Sequence, residues 1–120
     1  MVWVWIFAFG LVGVGLRYAL ETAGAGFTAS FPWVTLLINV AGCFVAGFLF
    51  RLDFSWPVEL RTGLIVGFCG GFTTFSAYSL QAFLLLDRGA ALPAMLYLFG
   101  SPVLGIFAAG MGFSLARMVG

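Results

Sequence analysis

The chain contains no histidine and no lysine, and only 8% of its 120 residues are charged. Without an imidazole, and with only Cys43 and Cys69 as thiols in separate hydrophobic stretches, a transition-metal site is not expected. The same two positions argue against a disulfide framework and read as small buried residues. A net charge of +1, carried by scattered arginines, excludes a polybasic lipid-binding patch and a nucleic-acid partner. The N-terminus lacks a basic leader and runs straight into Gly10, Gly13 and Gly15, so it reads as a packed helix rather than a signal peptide. No phosphate-binding loop, nucleophile–base pair or metal-ligand cluster is found, which argues against an enzyme.

What the chain does have is hydrophobic length. Apolar residues make up 63% and mean hydropathy is +1.18, far from an ordinary soluble domain. Residues 22–50, 62–86 and 89–116 carry no charge, each stretch exceeding the roughly 20 residues that cross the hydrocarbon core as a helix. A shorter stretch precedes Arg17 and extends past it through 18–20. The pattern predicts an all-α integral membrane protein, a single four-helix transmembrane domain over 1–120, with helices at about 2–20, 32–50, 60–86 and 92–116. Trp3 and Trp5 suit an interfacial belt, and Pro32 suits the first turn of the second helix. Connections are expected at 21–30, at 51–59 with Trp56 and Pro57, and at Asp87-Arg88-Gly89. Arg51, Arg61 and Arg117 fall on one side and Arg17 and Arg88 on the other. This near balance fits either an N-inside topology or insertion in both orientations.

The third stretch is interrupted by GFCGGFTTFSAYS at 67–79. Lipid offers no partner to a freed backbone group, so a break in a span survives only where protein buries it or a cavity hydrates it. Gly70 and Gly71 permit unusual backbone angles, while Thr73, Thr74 and Ser76 compete with helical pairing. Counting from the span midpoints puts Thr73 and Thr74, Asn39 and Ser101 near one depth, which suggests a shared polar path. Single serines and threonines often bond their own helix, but the amide of Asn39 cannot be fully satisfied that way. Phe75 and Tyr78 share a helical face, and their ring edges carry partial positive charge. No ionisable residue lies near mid-depth, which disfavours proton- or cation-coupled transport. Gly63, Gly67 and Gly71 form a small-residue stripe for close helix contact, within or between subunits. Four short spans leave little room for a pore inside one subunit, so an oligomer is expected. An antiparallel pair would bring its two breaks face to face.

Gly13-x3-Arg17-Tyr18, Thr35-x3-Asn39-x2-Gly42, GFCGGFTTFS and Tyr97-x3-Ser101, in this order and spacing, give the chain its resemblance to the CrcB/Fluc family of fluoride channels. The resemblance implies an antiparallel, dual-topology homodimer in the plasma membrane, with two fluoride pathways and a structural Na⁺ at the interface. It implies that backbone carbonyls of Gly70 and Thr73 hold the Na⁺, and that Asn39 donates to fluoride. Phe75 and Tyr78 would line the path with Thr74 and Ser76; Tyr97 and Ser101 would form a track on the fourth helix, and Arg17 would lie near the vestibule. Two positions depart from the family pattern. Tyr78 stands where a second phenylalanine is usual, and Gly105 where a serine or threonine is usual, so pairing with a homologous second subunit is an alternative. A small four-helix multidrug-type transporter is the competing expectation, yet its intramembrane carboxylate has only Glu21, beyond the end of the first span, as a counterpart. A non-transporting assembly subunit is the third.

Overall fold

The protein is described from a computed structural model covering residues 1–52 and 55–120. Asp53 and Phe54, inside the expected 51–59 connection, lie outside the described residues. The first helix, α1, spans Val2–Ala23 and is followed by a 3₁₀ turn, Ala25–Phe27. Helix α2 spans Trp33–Arg51, with Pro32 just ahead of its first residue rather than within it. The third stretch begins after Pro57 with α3 (Val58–Thr62), widens into a π-helical segment (Gly63–Cys69) and returns to α geometry in α4 (Gly70–Phe72). Helix α5 (Phe75–Asp87) follows, and α6 runs over Ala91–Val119. Gly89, with φ of +80°, turns the chain between them, a left-handed conformation natural to glycine. Four helical stretches, Val2–Ala23, Trp33–Arg51, Val58–Asp87 and Ala91–Val119, are long and apolar enough to cross a membrane.

Two seams hold these helices together, and glycine makes both. A Cβ on Gly67 would sit 2.5 Å from the carbonyl oxygen of Ile6, and one on Gly71 2.8 Å from that of Gly10. Gly13 answers from α1, where a side chain would collide with the Phe68 carbonyl. The small-residue stripe of the third stretch therefore packs within the chain, against α1. At the second seam, Gly112 of α6 meets the backbone of Phe44, and Gly47 of α2 meets that of Ala109. Such approach lets dispersion and backbone dipoles act where lipid removes any hydrophobic drive.

The backbone leaves helical geometry at Thr73 (φ −84°, ψ 159°) and Thr74 (φ −147°, ψ 121°), both extended. The glycines ahead of them behave otherwise than the sequence suggests. Gly70 is right-handed helical (φ −65°, ψ −37°), Gly71 lies within α4, and neither has positive φ. Gly71 serves close approach to α1, and the threonines carry the change of direction.

Candidate functional site

Thr73 and Thr74 need partners for a backbone that no longer follows a helix. Thr74 N–H donates to Asn39 Oδ1 (2.8 Å), and Asn39 Nδ2 donates to the Thr74 carbonyl (3.1 Å). This reciprocal pair fixes the amide orientation, since only one flip offers an acceptor to the N–H and a donor to the C=O. The second Nδ2 hydrogen is not used by this pair. Thr74 Oγ1 then accepts from Ala77 N–H (3.3 Å), capping α5, and lies 3.5 Å from Ser76 Oγ. Thr73 Oγ1 donates to the Cys69 carbonyl (2.9 Å), which also takes Thr73 N–H (3.0 Å).

These bonds release two carbonyls. With Thr74 N–H turned to Asn39, the helical bond to the Gly70 carbonyl is not made. Thr73 precedes the α5 cap, so its carbonyl falls outside the α5 ladder. A side chain on Gly70 would meet nothing within 4 Å, so that position faces open space. Oxygen donors of this kind fit a hard cation such as Na⁺, and no cluster of three His, Cys, Asp or Glu occurs among the described residues.

Beside the clamp lies an open groove of about 480 Å³. Asn39 and Cys43 of α2, Thr73, Thr74, and Phe75 and Tyr78 of α5 line one side; Ser101 and Gly105 of α6 line the other. Phe75 is 79% exposed, and its ring centroid lies 5.9 Å from that of Tyr78. At Gly105 a side chain would come within 3.2 Å of Cys43 Sγ, so the thiol fills the space that a hydroxyl residue there would take.

The hydroxyl of Tyr78 has a backbone explanation. Pro102, inside α6, has no N–H to give the carbonyl four residues earlier, which is that of Leu98. Tyr78 Oη donates to the Leu98 carbonyl and fills the vacancy. Behind it, fully buried Tyr97 donates to Gln81 Oε1 (2.8 Å), and Gln81 Nε2 donates to Thr35 Oγ1 (2.9 Å). This chain ties α6, α5 and α2 together, and the Tyr97 ring packs 5.1 Å from that of Tyr78.

The expected site residues thus fall into groups. Asn39, Thr74, Phe75, Tyr78 and Ser101 meet in the groove. Tyr97 lies in the buried network behind it, and Ser76 stays beside Thr74. Arg17 is elsewhere: its Nε donates to the Gly71 carbonyl (3.2 Å) and its Nη1 pairs with Glu21 (3.4 Å). It thereby places a cation at the carboxyl end of α4, where the helix dipole favours one. Gln81 and Thr35 escaped sequence reasoning as a pair, although the chain's lone glutamine, in a hydrophobic span, was a visible signal.

Residues 4–113 match the family model described as "CrcB-like protein, Camphor Resistance (CrcB)". Three curated relatives carry the name "Fluoride-specific ion channel FluC". The protein from Prosthecochloris aestuarii is 43% identical, over 91% of this chain and 88% of its own. That from Methylobacterium nodulans is 45% identical, over 88% and 86%. That from Nitrobacter winogradskyi is 39% identical, over 99% and 100%. A match of this extent places the protein in the CrcB family.

Proposed function

We propose that the protein is a fluoride-selective channel that lets fluoride leave the cell passively across the plasma membrane. The observation that carries this reading is the Asn39 clamp: an amide oriented by Thr74 has a second Nδ2 hydrogen outside that pair, in a groove that the exposed Phe75 also lines. Fluoride is small and strongly hydrated, so a dry path must replace its water with donors. The Asn39 amide, the Ser101 hydroxyl and the ring edges of Phe75 and Tyr78 supply them. Among the described residues no carboxylate lines the groove to repel an anion. Thr74 and Ser76 shape the path at the start of α5, Tyr97 holds Tyr78 in place, and Arg17 fixes the end of α4.

The assembly is an antiparallel, dual-topology homodimer with its interruptions at mid-membrane. The open groove and the exposure of Phe75 support it, because a partner is what would close both. The released carbonyls of Gly70 and Thr73, with their copies, hold a Na⁺ at the interface; bound there, the ion would pin the two subunits together.

Purified protein in liposomes, loaded with fluoride and followed with a fluoride electrode, tests the function. Release down the gradient with chloride retained is expected. Chloride release at the same rate, or release that needs a proton gradient, would overturn the reading.

A further inference from the structure

We propose that Cys43 is a further donor to the permeating ion, its thiol standing with the Asn39 amide and the Ser101 hydroxyl at one station of the groove; the inference rests on the fluoride reading above. The two cysteines of the chain have different surroundings. Cys69 is buried, whereas Cys43 is half-buried and lines the groove.

The register of α2 against α6 places the thiol. Gly47 meets the backbone of Ala109, and a Cβ on Gly105 would lie 3.2 Å from Cys43 Sγ. One turn earlier on both helices, the same register sets Asn39 across from Ser101, and all four residues of these two levels line the groove. One turn beyond Cys43, Gly47 and Ala109 touch too closely for any side chain. Toward that end the remaining lining, Ile106 and Ala109, is apolar. Cys43 is the last polar side chain before the helices seal.

A separate observation points to a ligand at this level. Ser101 is 8% exposed, yet its hydroxyl has no hydrogen bond to any described residue. Helical serines commonly bond the carbonyl one turn back, and this one does not. No buried side-chain nitrogen or oxygen among the described residues is sealed away without a partner, so the Ser101 oxygen is open to the groove it lines. The Cys43 thiol is likewise without a partner among the described residues. Side chains one turn apart have Cβ atoms roughly 5–6 Å apart, so one small anion between Asn39 and Cys43 can touch both. The donors are graded: amide and hydroxyl are strong, and S–H is weak. A weak donor adds to the hold on fluoride without trapping it, as an ion that must leave again requires. Gly105 supplies the room, since a side chain there would press on the sulfur.

Fluoride efflux from liposomes, rated per folded protein incorporated, tests this on wild type and four variants. Cys43→Ala should be a few-fold slower, as loss of one weak donor implies. Cys43→Ser keeps a donor in place and should stay close to wild type. Gly105→Ser added to Cys43→Ala brings a hydroxyl from α6 to where the sulfur stood, and should recover wild-type flux. Gly105→Ala in the same background fills that space without a donor and should leave efflux slow. A packing role alone would make the two double variants alike. Equal rates for those doubles, or wild-type flux through Cys43→Ala, overturns the proposal. Both doubles fill the cavity that Cys43→Ala opens, so an unstable single variant still leaves the decisive comparison. If wild type itself releases no fluoride, the channel reading falls and the thiol's part with it; conducting wild type with indifferent Cys43 variants removes the thiol alone.

Discussion

The third hydrophobic stretch is held in two different ways along its length. Its first half, through Gly63, Gly67 and Gly71, presses backbone to backbone against α1. Its second half, from Thr73 onward, meets α2 and α6 through side-chain amides and hydroxyls and leaves a groove open beside them. The first seam has no room for a methyl group; the second has room for an ion. A rigid, dry contact anchors the chain just before the residues that turn polar, so those residues can be held open without the rest of the span shifting.

The largest effect is expected where that contrast is destroyed from the dry side. Gly67→Val would drive its side chain into the Ile6 carbonyl and the Gly10 amide, an overpacking that costs about 3 kcal/mol or more. Low yield and a markedly lower unfolding temperature in detergent are the expected readouts. Gly110→Ala, at a position with nothing within 4 Å, should cost nothing measurable. On the polar side, Asn39→Asp replaces the amide donor with a carboxylate oxygen facing the Thr74 carbonyl. Losing one buried partner costs about 1–3 kcal/mol, more with a charge involved. Folded protein with fluoride efflux about tenfold to a hundredfold slower is expected; wild-type flux would remove Asn39 from the path.

Phe75→Ile should come next, slowing efflux about tenfold by removing one aromatic edge of the kind worth about 1 kcal/mol. Ser101→Ala should be milder, a few-fold, as for one neutral hydrogen bond. Tyr78→Phe is the smallest functional change. The ring stays and efflux should match wild type, while the orphaned Leu98 carbonyl lowers stability by about 1 kcal/mol. Pairing it with Pro102→Ala, which restores the helical N–H, should recover that loss in a thermal-unfolding double-mutant cycle. Additive losses would break the link between the proline and the tyrosine.

The four spans were legible because charge in a membrane protein is confined to the ends of helices, and 22–50, 62–86 and 89–116 are free of it. The groove was half legible. Depth arithmetic put Asn39, Thr74 and Ser101 on one level, and the structure gathers them. Depth says nothing about direction around a helix axis, however, and it did not single out Tyr97 or Arg17; the family resemblance supplied those two, and they stand behind the groove and beside α4. The Gln81 link to Thr35 and Tyr97 joins residues on three helices, which no local period encodes. The glycine stripe announced a close contact without naming its partner, because any smooth backbone satisfies it equally. The π-helical segment Gly63–Cys69 was invisible for a similar reason: a reading at 3.6 residues per turn assumes the geometry it would have to detect.

Among the described residues, the N–H of Thr74 is answered by Asn39 of α2, and this bears on how the protein is made. A stretch entering the bilayer with its break already formed would expose the Thr74 N–H and C=O, which Asn39 answers in the fold, to hydrocarbon at several kcal/mol each. A continuous helix avoids that penalty, so the 30-residue span is best inserted as one unbroken rod. Only when α2 docks can Asn39 offer the substitute bonds and the rod divide. The break in the third span is then a product of assembly inside the membrane, later than insertion, and a nascent chain lacking the second helix is expected to carry a straight third one.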